Sequence, residues 1–361
     1  MWSLRRTCNA ALVLLCAAPA AAQSVERFTI DSVVSVDSFA GDNVSSRPQF
    51  VLDASSAVRI DDHWQVVFRP WFRQLRPAAP GAAAPDSEAA IFQAGLRYER
   101  TGAIGTRIDL GYLVSPIGLG MLDSRANLNP TIAPHVSYAA LMPAFDPTGP
   151  RASAVTTTYP LGAIATVSAL HWDVRGGVVN SSPTRTYMLG HINNPEQTPN
   201  VVGGGGLTPI IGLRLGVSFA RGAYAKAGEL SLPSAMARDA TIVGVEGEYS
   251  FSYTVLRGEF LRTAFQTSAD DALAREWFIQ GQQTLAPRWF IAARHEGTSA
   301  PPPVTAATGI RTSFKAAETT LGYRVTPDVT LRASYYARRL YTAGVWDQQV
   351  AGSVVWARRW W

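Results

Sequence analysis

The sequence predicts an all-β fold: a transmembrane antiparallel β-barrel of about sixteen strands, with about twelve and about eighteen as the extremes, and one long loop folded toward the lumen. Three observations predict it. Segments in which apolar residues alternate with arginines, acids and amides recur from residue 28 to the end of the chain. Beyond a leader at residues 1–22, no stretch supplies the ~20 apolar residues that a membrane-spanning helix needs. Short turns alternate with longer connections. A strand with one apolar face toward lipid can keep a charged opposite face only if that face lines water inside a closed cylinder, and closure also removes the unpaired edge that lipid would not tolerate.

The leader has a basic start (Arg5, Arg6), an apolar segment at 10–18 and the small residues Ala20, Ala21 and Ala22, so residues 1–22 read as a secretory signal and residues 23–361 as the barrel. A lipoprotein reading would use Cys16, but the preceding Leu15 is bulky where a small residue is expected. Both cysteines, Cys8 and Cys16, fall in the leader, which excludes a disulfide framework, a thiol nucleophile and a thiolate metal site from the mature chain. Losing Arg5 and Arg6 lowers the net charge from +5 to +3, too mild to indicate a nucleic-acid partner. A composition of 47% hydrophobic and 16% charged residues suits a barrel with a greasy outside and a wet lumen.

Taken in order, 28–39 and 49–60 form the first strand pair, with Asp31 and Asp37 interrupting the apolar set of the first. After a turn at Asp61-Asp62, Trp64, Val66, Phe68 and Phe72 share one face and Gln65, Arg69 and Arg73 the other, with Trp71 breaking the polar set. The Ala/Pro-rich stretch 77–85 cannot ladder. Ala90, Phe92, Ala94, Leu96 and Tyr98 then oppose Gln93, Arg97 and Glu99. A turn at 102–105 leads to Thr106, Ile108, Leu110 and Tyr112 opposite Arg107 and Asp109.

Residues 116–158 break the alternation with six prolines before 151 and with apolar residues such as Leu119, Met121, Leu141, Met142 and Phe145. So long a loop without its own periodic structure is usually functional. It is expected either to narrow the passage, bringing Asp123, Arg125, His135, Asp146 and Arg151 near the solute path, or to cap the mouth, and constriction is the favoured expectation.

A hairpin about Ser168-Ala169 points Trp172, Val174 and Val178 outward and His171, Asp173 and Arg175 inward. The glycines 203–206 lack a following Gly-Lys-Ser/Thr, which excludes a phosphate-binding loop and leaves a short strand or turn. Residues 211–219 alternate with Arg214 on the polar side, and a loop is expected at 221–238. From 241 to 265, Glu246 and Glu248 on one strand meet Arg257 and Glu259 on the next. Strands at 276–285 and 288–297 place Glu276, Arg294 and Glu296 inward. The last hairpin turns at Thr326-Pro327-Asp328, with Leu331, Ala333 and Tyr335 against Arg332, Ser334 and Arg338, before a final strand at 348–361.

The chain resembles the Gram-negative outer-membrane porins through its signal, repeated strand pairs, short turns, dominant long loop and aromatic end. Gly244-Val-Glu-Gly-Glu248, Leu256-Arg-Gly-Glu-Phe260 and Trp289-Phe-Ile-Ala-Ala-Arg294 are similar to the phosphate-selective porin group. The resemblance implies a water-filled pore for passive diffusion of small hydrophilic solutes or ions, and no covalent chemistry or cofactor. It implies a place among outer-membrane lipid and lipopolysaccharide, a barrel-assembly machinery that reads the terminal Trp361, and a possible homotrimer. Arg359, two positions before that end, departs from the apolar residue usual there.

The inward set by parity is basic at Arg69, Arg73, Arg97, Arg107, Arg175, Arg214, Arg257, Arg294, Arg324, Arg332 and Arg338. It is acidic at Glu99, Asp109, Asp173, Glu246, Glu248, Glu259, Glu276 and Glu296. Eleven against eight predicts a mild preference for anions or uncharged solutes. The competing expectations are a non-conducting structural or binding barrel and a membrane-embedded hydrolase. The histidines 63, 135, 171, 191 and 295 have no interpretable spacing to a nucleophile and make no metal motif.

Overall fold

The computed structural model describes residues 27–41, 48–74, 88–139, 141–146, 148–150, 152–185, 199–230, 235–267, 270–301, 312–339 and 345–360. The signal, the stretch 77–85, Arg151 and Trp361 lie outside the described residues.

Sixteen strands run in chain order: β1 (Phe28–Gly41), β2 (Pro48–Arg59), β3 (Trp64–Arg73), β4 (Glu88–Arg100), β5 (Gly105–Val114), β6 (Thr158–Ala169), β7 (Trp172–Val179), β8 (Asn200–Ile210), β9 (Leu213–Ala225), β10 (Arg238–Phe251), β11 (Thr254–Phe265), β12 (Ala272–Ala286), β13 (Trp289–Ser299), β14 (Ser313–Arg324), β15 (Val329–Arg339) and β16 (Asp347–Arg359). Each pairs antiparallel with its sequence neighbours, and β1 pairs with β16 from Asp31↔Arg359 to Gly41↔Gln349, which closes the barrel. No described helix is long and apolar enough to cross a membrane.

Parity decides the two faces. Val66, Phe68, Leu96, Val174, Val243, Leu256, Ile279, Leu321 and Val354 are exposed on the outside. Asp53, Asp109, Glu246, Gln280, Glu318 and Gln349 are buried on the inside. One end carries only tight connections: 60–63, 101–104, 170–171, 211–212, 252–253, 287–288 and 325–328. In the first of these, Asp61 Oδ1 accepts from the backbone N–H of His63 and Trp64, both at 2.8 Å, so a side chain does the work of a tight turn.

The structure departs from the sequence-based expectation in four places, each for a local reason. Between Arg69↔Gln93 and Pro70↔Ile91 the ladder shifts register, leaving Phe92 as the extra residue of a bulge. Ala90 therefore pairs with inward Trp71, and Phe92 lies under the Arg69 guanidinium, 4.4 Å from its ring centre, instead of facing lipid with Ala94 and Leu96.

The second departure is the β6–β7 turn, which falls at Leu170-His171, two residues later than expected. His171 sits in it, its ring bonded to Thr208 O at 3.1 Å, and not on the lumen wall. Third, the strand over the glycines 203–206 is longer than the short one expected, running eleven residues through Pro209 to Ile210. Fourth, Ile211 belongs to a turn, 99% exposed, where its apolar side chain mimicked strand alternation. β9 in turn continues to Ala225 because Ala223, Tyr224 and Ala225 are buried there, the last two in a cluster with Phe145 and Leu230.

The connection between β5 and β6 turns into the barrel. It contains a 3₁₀ turn at Gly120–Ser124 and a single helical turn at Val136–Ala139. The apolar core of the protein lies mainly between this loop and the inner wall. One cluster joins Ile117 and Val155 to Leu113, Tyr159, Ile242 and Leu261. Another joins Ile132 and Ala133 to Phe39, Phe314 and Tyr336. A barrel of this size would hold water throughout; here the loop fills part of it with packed side chains.

Candidate functional site: the loop-narrowed lumen

A loop buried in a lumen must find partners for its backbone N–H and C=O groups, since it has few of its own. Inward-facing charges of the wall provide them. Glu318 accepts from Ile132 N at 2.8 Å and from Ala133 N at 3.2 Å. Glu259 accepts from Leu119 N and Gly120 N and from the Tyr138 hydroxyl at 2.6 Å. Burial, with the charge of Glu259, holds that phenol well above its usual pKa, so it remains a donor. Glu296 accepts from Val136 N at 3.2 Å.

The arginines treat the carbonyls in the same way. Arg332 Nη1 donates to Asn129 O and Thr131 O, both at 2.7 Å, and to Ala126 O at 3.0 Å. Arg294 Nη2 donates to Ala133 O at 2.6 Å while lying 3.3 Å from Glu318. Hydrogen bonds to a charged group contribute roughly 1.5–3 kcal/mol each, so this set holds the loop firmly. The side chains of Arg294 and Arg332 are 1% and 2% exposed: they face inward as their parity requires, but the loop covers them.

Two loop side chains complete the attachment. Asp123 receives Arg257 Nη1 at 3.0 Å and Gln280 Nε2 at 2.9 Å, and lies 3.0 Å from His135 Nε2. His135 Nδ1 is 3.5 Å from Glu296, and its ring centre is 4.3 Å from that of Phe278. Burial and Arg294 oppose a charge on His135, but the hydrogen bond to Asp123 and the nearby Glu296 carboxylate outweigh them and raise its pKa. Asp146 accepts from Thr148 N, Thr148 Oγ1 and Gly149 N within its own turn.

The other side of the lumen stays open. Arg69 is bidentate to Asp53, with Nη2 at 2.5 Å, and also reaches Ser124 of the loop at 3.3 Å. Arg125, on the loop, shares that carboxylate at 3.5 Å. Asp109 is held between Arg97 at 2.7 Å and Arg107 at 2.6 Å. Arg214 spans Asp173 at 3.0 Å and Glu246 at 2.7 Å, with Arg175 3.5 Å from the same Glu246.

The glycines of β8 and β9 make this last arrangement possible. A Cβ at Gly206 would stand 2.6 Å from Arg214 Nη2, and one at Gly216 2.7 Å from Glu246 Oε1, pushing the guanidinium off its carboxylates. Sequence reading found the arginines but not the reason for the glycine run, whose only signal was its parity with Arg175 and Arg214 on neighbouring strands.

Arg69, Arg125 and Arg175 line one cavity of about 260 Å³ between loop and wall, and no carboxylate is part of its lining. Of the remaining expected wall residues, Arg257 is engaged with Glu248 at 2.5 Å, Arg338 with Asp347 at 3.0 Å, and Arg73 lies over the Trp71 ring at 4.7 Å. Among the described residues no cluster of His, Cys, Asp or Glu has the geometry of a metal site.

No protein-family model and no curated protein matches the chain by sequence. Solved structures do match by shape. OmpF of Salmonella typhi, solved in complex with daunomycin, superposes with a TM-score of 0.61 at 12% identity, covering 92% of this chain and 97% of that one. OprB of Pseudomonas putida gives 0.58 at 10% identity, covering 92% and 94%. The anion-selective porin from Comamonas acidovorans gives 0.56 at 13% identity, covering 92% and 99%. At such identities the likeness is one of fold, and the fold of this chain is that of the Gram-negative outer-membrane porins.

Proposed function

We propose that the protein is an outer-membrane porin through which small hydrophilic solutes diffuse passively, with a mild preference for anions, and that it performs no covalent chemistry. The observation that carries this reading is the asymmetry of the lumen. On the side the loop leaves open, Arg69, Arg73, Arg97, Arg107, Arg125, Arg175 and Arg214 stand against Asp53, Glu99, Asp109, Asp173 and Glu246, seven cations against five anions among the described residues. Solutes in a water-filled pore are sorted at its narrowest section by the field there, and the cavity between loop and wall is lined by the guanidinium groups of Arg69, Arg125 and Arg175. Outer-membrane lipid and lipopolysaccharide, the barrel-assembly machinery and a homotrimeric state are the partners proposed with it.

The test is single-channel recording of the refolded protein in planar bilayers under a salt gradient. Discrete, long-lived steps with a reversal potential of anion-selective sign are expected. A folded barrel that stays silent would refute the open pore in favour of a plugged binding or structural barrel. Strong cation selectivity would refute the role given to the arginines.

A further inference from the structure

On β11 to β15 the outer surface breaks its own rule with charges that, among the described residues, have no carboxylate beside them. Outward positions of β11 to β15 are apolar or aromatic along most of their length, as Phe260, Trp277, Ile279, Ile291, Leu321 and Leu331 illustrate. Toward the end that carries the long connections, the same face instead presents Arg262, Arg275, Lys315 and Arg339.

Their register is unusual. Arg262 and Arg275 are direct cross-strand partners, and so are Lys315 and Arg339. Like charges placed opposite each other in a ladder repel, and a bound anion would relieve that repulsion. Among the described residues none of the four forms an ion pair with a carboxylate, in contrast to Arg221, which holds Asp239 at 3.1 Å on the neighbouring part of the wall.

Between the two pairs lies a groove of about 180 Å³ whose lining includes Arg275, Lys315, Trp277, Phe260, Ser299 and Ser313. On the intervening strand β13, Gly297 stands level with Trp277 and Lys315 and contributes no side chain, and the Trp277 indole closes over it. The height is also informative. Arg275 lies eleven residues from the short-turn end of β12 at Ala286, which is about 36 Å along the strand and about 28 Å along the axis at a tilt near 40°. A lipid-facing apolar band is ~25 Å tall, so the four cations sit just past its edge, at the level of headgroups.

We infer that Arg262, Arg275, Lys315 and Arg339 form a binding site for the phosphate groups of an anionic lipid headgroup, with Trp277 and Phe260 against its upper acyl chain. Two independent features meet in this site: cations without carboxylate partners, and an adjoining aromatic groove of the width of two strand spacings. The occupant inferred is a phosphorylated lipid, since the face below the cations is mostly apolar, with Trp277, Ile279, Ile291 and Leu321 on it and His295, Gln283 and Thr319 as its polar interruptions.

The test uses the full refolded barrel, its fold checked by heat-modifiable mobility on gels. Binding of bis-phosphorylated lipid A in mixed micelles is titrated by quenching of tryptophan fluorescence or by native mass spectrometry, with dephosphorylated lipid A and inorganic phosphate as the comparison probes. The wild type should take up bis-phosphorylated lipid A well above both comparators. Arg275→Gln with Lys315→Gln should weaken it on the order of fivefold per cation removed, while single-channel conductance stays as in the wild type. Equal uptake of the dephosphorylated lipid, equal binding of free phosphate, or an unchanged affinity in the double variant would each overturn the site. The conductance reading is independent: a silent barrel that still discriminates the phosphorylated lipid would refute the pore and leave this site standing.

Discussion

The two sides of the lumen wall are built from the same strand alternation and end in opposite states. From β11 to β16, inward Glu259, Glu296, Glu318, Arg294 and Arg332 are dry, because the loop lies over them and spends their charge on its own backbone groups. From β3 to β9, inward Arg69, Arg97, Arg107, Arg175 and Arg214 keep side-chain exposures between 13% and 45%, and their partners are carboxylates of the wall itself. The difference teaches that an inward charge in a barrel does one of two jobs. It fastens structure when covered, and when left wet it is free to act on solutes in the proposed pore.

Covered charges should be the costly ones to remove. Arg332→Met takes away three carbonyl ligands of the loop and leaves Asp37, 3.8 Å away, without its cation; breaking a buried pair this way costs about 3–5 kcal/mol. The expected outcome is a loop open to protease, with larger and noisier current steps. Unchanged digestion and conductance would show that the loop does not depend on this wall.

Glu318→Gln is milder, because an amide oxygen can still accept from Ile132 or Ala133 while Arg294 loses a counter-charge. It should loosen the loop by roughly 1.5–3 kcal/mol, visible as an intermediate rate of proteolysis.

Wet charges should behave the other way. For Arg175→Gln we expect an anion-to-cation permeability ratio lowered by up to roughly fivefold, the Boltzmann factor of ~1 kcal/mol for a unit charge at about 4 Å in water, with proteolysis of the loop unaltered. A loosened loop in this variant would blur the division between the two sides.

The smallest effect is a pH dependence. Because the folded-state pKa of His135 is raised above 6.5, its contribution to loop attachment is fully present below about 6.5 and is lost as pH rises through the folded value. Current noise and protease sensitivity should therefore rise from mildly acidic to alkaline pH in the wild type and stay flat in His135→Gln. The same slope in both would assign the dependence to another group.

Much of this was legible in the primary sequence, and particular residues show where legibility stopped. Period-two alternation located all the clear strands and put Glu246, Glu248, Arg257 and Glu259 on one surface, where β10 and β11 pair Glu246↔Glu259 and Glu248↔Arg257. It failed at Phe92, since a bulge shifts parity by one without any residue that announces it. It also failed at Ile211, since an isoleucine in a turn reads as a strand position. The loop was visible as a break with apolar content, but which of its charges would face the passage was not. Asp123 and His135 point into the wall and Arg125 toward the cavity, although all three are charged loop residues of similar spacing.

By itself, then, the sequence determined an antiparallel barrel, its two faces and a long loop that either narrows or caps it, because alternation, turn chemistry and the intolerance of lipid for unpaired backbone are local or near-local constraints. Only the tertiary structure decided which inward charges are wet. That depends on where a 43-residue connection between β5 and β6 comes to rest, and its resting place is set by carboxylates and arginines up to 206 positions away in the chain.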